Sequence, residues 1–243
     1  TTNNPAGGFV INARCAGDNS GYSVSNAGDV NGDGLSDVIV GVPKADPAAG
    51  TDAGRSYVVF GKTSSGAVNL SALAATSPSG GFVINGEGAS DQSGFAVSAA
   101  GDVNGDGLAD VIVGAPYNSV QTGRSYVVFG KTSTAAIDLS QVAAGMGGGF
   151  AINGETLIDQ SGGSVRAAGD INGDGLTDLI VGATTADPDG RGNAGKSYVV
   201  FGKTDTTAVD LGQVVLGNSG FVINGECNAD QSGGSVGAAG DIN

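Results

Sequence analysis

The chain has 243 residues, a formal net charge of −14, 46 glycines, two cysteines, one methionine and neither histidine nor tryptophan. Acidity on this scale excludes nucleic acid and anionic membrane surfaces as partners, because both are held by Lys and Arg that neutralise phosphate. The missing histidines exclude His-based triads and His-ligated zinc, and every apolar run is far shorter than the roughly 20 residues that span a bilayer.

Glycine is abundant but proline is scarce and no triplet period is present, so the composition fits ordered short strands joined by tight turns. The N-terminal Thr-Thr-Asn-Asn-Pro carries no signal peptide, which reads as a mature product or a portion of something longer.

In chain order the same phrases return. Phe-Val-Ile-Asn begins at Phe9, Phe82 and Phe221, with Phe-Ala-Ile-Asn at Phe150, at intervals of 73, 68 and 71 residues. Acidic loops starting at Asp29, Asp102, Asp170 and Asp241 keep those three intervals. Ser-Tyr-Val-Val-Phe-Gly-Lys-Thr places its tyrosine at Tyr57, Tyr126 and Tyr198. The chain is one repeating unit.

Each unit reads as four short strands, typified by residues 95–101 (A), 110–114 (B), 125–130 (C) and 150–153 (D). Val and Ile enrichment between Gly, Pro and Asp supports the strands. Strand B is apolar at consecutive positions and should be covered on both faces, whereas the Ser-, Ala- and Gly-rich strand A suits a crowded axis. Four-stranded antiparallel units around an axis make an all-β propeller. The units divide as 1–21 (strand D of a preceding unit and its loop), 22–94, 95–162 and 163–233, with 234–243 starting a truncated fourth. That gives three full blades plus a half blade and an expected fourteen strands, a segment of a larger propeller or an assembling protomer. Joined head to tail, the ends would still lack strands B and C.

Between strands A and B stands the most informative pattern. Asp102, Asn104, Asp106 and Asp110 occupy positions 1, 3, 5 and 9 of a loop with Gly107 at position 6, and Leu108 offers a carbonyl at position 7. Asp29, Asn31, Asp33, Leu35, Asp37 and Asp170, Asn172, Asp174, Leu176, Asp178 repeat it. A hard cation such as Ca²⁺ takes six to eight oxygens at about 2.3–2.6 Å, and alternate side chains in a tightly turned loop supply them. About three Ca²⁺ per chain are expected, which would reduce the charge from −14 to −8. An EF-hand is excluded, since no Glu stands at position 12 and strands flank the loop. Three equal copies point to a structural rather than a catalytic role.

These motifs resemble the FG-GAP repeats of the integrin α-subunit N-terminal propeller, in the tandem form of large secreted bacterial proteins. Gly114-Ala115-Pro116 carries the family phrase; Gly41-Val42-Pro43 and Gly182-Ala183-Thr184 vary it, and Gly94-Phe95 stands for the Phe-Gly in altered order. The resemblance implies a seven-bladed propeller with Ca²⁺ in the A–B loops, a secreted or cell-surface location, and adhesion to a protein or glycan ligand. The contact surface expected is the B-to-C connections at 43–54, 116–123 and 184–195, which vary in length as partner-contacting loops do. A self-assembling extracellular protein with open blade edges is the first alternative, and an accessory domain of a secreted hydrolase the second.

Other motifs have plainer readings. Gly61-Lys62-Thr63 and its copies lack the first glycine of a P-loop and read as strand-end turns. Glu87, Glu155 and Glu226, with Asp91, Asp159 and Asp230, could pair as glycosidase carboxylates, but their recurrence favours turn capping or blade-to-blade hydrogen bonds. Cys15 and Cys227 share one register of the D-to-A loop three units apart; in a wide ring they would stand beyond the Cα separation of about 7 Å that a disulfide tolerates, which leaves two unrelated substitutions or a link between molecules. No enzymatic chemistry is expected.

Overall fold

The computed structural model describes residues 8–75 and 80–240. β1 (Ile11–Asn12) precedes a unit made of β2 (Ser23–Gly28), β3 (Asp37–Val42), β4 (Arg55–Val59), β5 (Val68–Asn69), α1 (Leu70–Leu73) and β6 (Gly81–Asn85). The second unit has β7 (Ala96–Gly101), β8 (Asp110–Ala115), α2 (Asn118–Gln121), β9 (Arg124–Val128), β10 (Ile137–Asp138), α3 (Leu139–Ala143) and β11 (Gly149–Asn153). The third has β12 (Ser164–Gly169), β13 (Asp178–Ala183), β14 (Lys196–Val200), β15 (Val209–Asp210), α4 (Leu211–Val215) and β16 (Gly220–Asn224).

The sheets are propeller blades. β2-β3-β4-β6, β7-β8-β9-β11 and β12-β13-β14-β16 are each antiparallel. The small-residue strands β2, β7 and β12 pack side by side, as their composition predicts. β8 is buried along its whole length, as a B strand covered on both faces must be. Every A strand ends in a register shift, at Asn26/Gly28, Ala99/Gly101 and Ala167/Gly169. A bulge there bends the chain into the acidic loop.

Two expectations need correction. Sixteen strands are present among the described residues instead of fourteen. The C-to-D connections hold three short strands, each parallel to the outer strand of the preceding blade: β5 on β1, β10 on β6 and β15 on β11. Each then runs into a short helix whose Leu and Val or Leu are buried. The outer strand of one blade is thus capped by the next unit, which satisfies an edge that would otherwise invite foreign pairing. The expected fourth A strand is not formed over 235–240, and residues 241–243 lie outside the described residues.

Apolar faces alternate along the strands. Ile39, Val58, Phe82 and Ile84 of the first blade pack on Val97, Val111, Val113, Tyr126 and Val128 of the second. Ile112, Val127, Phe150 and Ile152 of the second pack on Val165, Leu179, Val181, Tyr198 and Val200 of the third.

Main chains also meet directly. Gly94 N donates to Gly114 O at 3.1 Å, and Gly162 N to Gly182 O at 3.0 Å. A Cβ on Gly114 would fall well inside contact distance of Gly162 O, and one on Gly41 of Gly94 O. Only glycine allows this approach. Gly114→Ala is expected to cost about 3 kcal/mol, the upper end of overpacking losses, because the obstacle is backbone. Gly192→Ala, whose Cβ meets open space, should stay within about 0.5 kcal/mol. Equal denaturant midpoints for the two variants would refute the close-approach account.

Candidate metal centre

The three acidic loops are built alike. In the first, Asp29 Oδ1 accepts from Gly32 N at 2.8 Å and Asp33 N at 3.1 Å, while Oδ2 accepts from Gly34 N at 2.8 Å. Asn31 Oδ1 accepts from Asp33 N, its Nδ2 donates to Asp33 Oδ2, and Asp33 Oδ1 accepts from Leu35 N. Gly32 and Gly34 supply the positive φ of 76° and 87° that closes so tight a turn. The same bonds recur for Asp102, Asn104, Asp106 and Leu108, and for Asp170, Asn172, Asp174 and Leu176.

Position 9 does something else. Asp37, Asp110 and Asp178 are buried, and each bridges two main-chain donors. Asp37 takes Val30 N at 2.8 Å and Gly61 N at 2.7 Å. Asp110 takes Val103 N and Gly130 N, each at 2.8 Å, and Asp178 takes Ile171 N and Gly202 N. Each carboxylate therefore ties its A–B loop to the end of strand C. Burial pushes the Asp110 carboxyl up to about 7; the two N–H groups pull it down and the charges of Asp106 and Asp102 push it up again. Asp37 is raised for the same reasons, with burial first.

This donor set is all oxygen and anionic, the chemistry that suits Ca²⁺. None of the ion pairs found among the described residues neutralises a loop carboxylate. The side chains at positions 1, 3 and 5 share one turn, whereas position 9 points its oxygens at the backbone. Among the described residues no group of three acidic side chains converges to metal-binding distance. The oxygens at positions 1 and 5 accept from the loop's own N–H groups, and the Asn31 amide faces Asp33.

The loops are also joined to one another, a feature without a side-chain signature. Ala109 N donates to Asp29 O and Thr177 N to Asp102 O, both at 3.0 Å. Lys131 N donates to Val30 O at 2.8 Å and Lys203 N to Val103 O at 3.0 Å. The position-7 leucines reach across as well, Leu108 over Gly32 and Leu176 over Gly105.

The recurrent glutamates are blade-to-blade contacts, one of the two readings favoured from sequence. Glu87 accepts from Arg124 at 2.6 Å and from the Tyr126 hydroxyl of the next blade; Glu155 accepts from Lys196 at 2.6 Å and from Tyr198. Burial and the nearby carboxylate raise the pKa of both tyrosines. Asp91 accepts from Asn118 at 2.7 Å. The Gly-Lys-Thr segments are strand-end turns whose lysines sit over the outer-strand phenylalanine of the preceding blade: Lys62 over Phe9, Lys131 over Phe82 and Lys203 over Phe150. Cys15 and Cys227 are free and exposed.

Antiparallel blades stacked through an acidic A–B loop define a β-propeller of tandem repeats. Residues 20–59, 93–128 and 161–200 match the FG-GAP repeat, each match running from the end of the D–A loop through strand C, and the chain belongs to the FG-GAP β-propeller family. It is 30% identical over 195 residues to integrin alpha-PS2 of Drosophila melanogaster, covering 76% of this chain and 13% of that protein. It is 28% identical over 231 residues to integrin alpha-8 of Gallus gallus, covering 87% and 19%. Integrin alpha-2 of Mus musculus is 37% identical over 90 residues, covering 37% and 7%. The chain thus spans less than a fifth of the length of these relatives.

Asp110→Asn tests the staple apart from any ion. The amide offers one acceptor where two donors point, so one buried N–H loses its partner. A loss of about 1–3 kcal/mol is expected in chelator by urea denaturation. An unchanged midpoint would show that position 9 has no structural role without metal.

Proposed function

We propose that the protein is a calcium-stabilised, non-enzymatic extracellular module that binds a protein or glycan partner through its B–C loops. The observation that carries this reading is the threefold repetition of an all-oxygen loop whose carboxylates have no cationic partner, in a chain related to integrin alpha subunits. Asp29, Asn31 and Asp33, the Leu35 carbonyl and Asp37 would hold the first ion. Asp102, Asn104, Asp106, Leu108 and Asp110 would hold the second, and Asp170, Asn172, Asp174, Leu176 and Asp178 the third. Each ion would neutralise charges that otherwise repel across the turn, and would fix the entry into strand B.

The carboxylates nearest to an enzymatic pair, Glu87 and Glu155, are already engaged by the next blade, which favours scaffold over chemistry. The B–C loops differ in structure as well as length: the second forms α2, with Val120 exposed at 76%, and the third a 3-10 turn over Pro188–Gly190. The third loop and the preceding D–A loop enclose a cavity of about 220 Å³ lined by Ile158, Asp159, Thr185 and Lys196. No helix among the described residues is long and apolar enough to cross a membrane.

Thermal melts with and without Ca²⁺ test the scaffold role. Three ions at about 100 times their Kd would each stabilise by about 2.7 kcal/mol, so Tm should rise by roughly 15–30 °C. Changing Asp33, Asp106 and Asp174 together to Ala should abolish the rise while leaving the buried staples intact. Superimposable melts of the parent in Ca²⁺ and chelator would overturn the reading. For the contact surface, exchanging the exposed Val120 for Asn, which leaves the Asn118–Asp91 bond in place, should weaken binding on an array of matrix proteins and glycans without altering the melt. Binding undiminished by the exchange would place the contact elsewhere.

A further inference from the structure

The sequence holds six Asn-Gly dipeptides, three in the A–B loops at Asn31, Asn104 and Asn172, and three where a D strand ends, at Asn85, Asn153 and Asn224. Each A–B loop adds an Asp-Gly pair, at Asp33, Asp106 and Asp174. Both dipeptides are chemically labile. The main-chain nitrogen that follows Asn or Asp can attack the side-chain Cγ and close a succinimide ring, and glycine sets no Cβ in the way.

In all of them the attacking nitrogen is already a donor. After the D strands the acceptor is main chain: Gly86 N donates to Gly54 O and Gly154 N to Gly123 O, both at 3.0 Å, and Gly225 N to Gly195 O at 2.8 Å. The loop glycines are exposed and have no such neighbour. There the position-1 aspartate takes both nitrogens. Asp102 Oδ1 accepts from Gly105 N at 2.7 Å, and its Oδ2 from Gly107 N at 2.9 Å. Asp29 holds Gly32 N and Gly34 N, each at 2.8 Å, and Asp170 holds Gly173 N at 2.7 Å and Gly175 N at 3.0 Å. The Asn104 amide is pinned as well, its Oδ1 accepting from Asp106 N at 2.8 Å and its Nδ2 donating to Asp106 Oδ2 at 3.0 Å.

We infer that Asn31, Asn104 and Asn172 are latent deamidation sites, kept as amides by the position-1 carboxylate that holds the attacking nitrogen. In the reaction held back, Gly105 N bonds to Asn104 Cγ. Its proton passes through solvent to Nδ2, which leaves as ammonia. Water then opens the ring at either carbonyl and yields aspartate or isoaspartate. The carboxylate opposes the first step twice. A charge-assisted bond must break, and the negative charge that Gly105 N gains on losing its proton would form beside Asp102. The product would damage the loop. A carboxylate at 104 would face Asp106 Oδ2, where the amide now donates, and isoaspartate would route the main chain through the side chain and lengthen the turn. Through Oδ2, the same aspartate guards Asp106-Gly107 against isomerisation. The inference stands whether or not the loops bind an ion.

Peptide mass spectrometry after prolonged incubation in chelator at mildly alkaline pH reads the amide at each asparagine. The native parent should keep Asn31, Asn104 and Asn172, and the parent unfolded in urea should lose them. Asp102→Ala should speed the loss at Asn104 by about 10- to 100-fold, the rate equivalent of a bond to a charged acceptor. Asn31 and Asn172 of the same molecules should stay at the parent rate. Asp106→Ala loosens the same loop but leaves Gly105 N on Asp102, so it should change Asn104 far less. An unchanged rate in Asp102→Ala would overturn the inference. A slower rate would overturn it too, because the carboxylate would then be the base that starts the reaction. Equal acceleration by Asp106→Ala would reduce the effect to loosening and contradict the guard. Should Asp102→Ala unfold, marked by equal loss at Asn31 and Asn172, amide hydrogen exchange of the parent decides. Protected Gly32, Gly105 and Gly173 support the guard, and free exchange at them refutes it.

Discussion

Each repeat hangs on a buried carboxylate that, among the described residues, is paired with no basic side chain. Asp37, Asp110 and Asp178 are held by two main-chain N–H groups, one from the loop before the B strand and one from the end of strand C. Burying an anion is costly unless hydrogen bonds replace its water, and two charge-assisted bonds are the replacement here. The staple fixes where the A–B loop lies and where the following Gly-Lys-Thr turn begins. That turn in turn delivers a lysine main chain and side chain to the preceding blade. The local electrostatics of one residue are transmitted to the stacking of the whole array.

Stacking then proceeds by main chain as much as by side chain. Glycines let neighbouring blades approach main chain to main chain, Gly41 against Gly94 and Gly114 against Gly162, and the Asp29 and Asp102 carbonyls bind the next loop in line. Around these contacts the apolar faces close, the lysine covers a phenylalanine and the glutamate reaches a buried tyrosine. A single blade satisfies few of its own needs. Stability in such an array is a sum of units and the interfaces between them.

Much of this was legible in the residues. The repeat, the A to D strand order, the crowded Ser- and Ala-rich strand and the uniform acidic loops follow from spacing and composition, whereas for the glutamates the recurrence left turn capping and blade-to-blade bonding open, and the contacts of Glu87 and Glu155 decide for the second. The linker strands were missed because each holds only two residues and pairs with a blade other than its own unit's. Period-2 alternation cannot register over two residues. The joining of successive loops escaped for another reason: Ala109 N and Thr177 N act through main chain, which any residue but proline offers. At position 9 the sequence showed an acid and the spacing implied a ligand; the structural use of Asp110, binding two N–H groups 7 residues before and 20 residues after it, depends on contacts that no local pattern encodes.

Whether the loops gather a cation is read most directly by anomalous diffraction from crystals grown with Ca²⁺. The account predicts three peaks, one per A–B loop, each within about 2.3–2.6 Å of oxygens at positions 1, 3, 5, 7 and 9. It also predicts that Asp37, Asp110 and Asp178 keep their two backbone bonds while ligating. Loops without peaks, or peaks only at exposed carboxylates elsewhere, would contradict it.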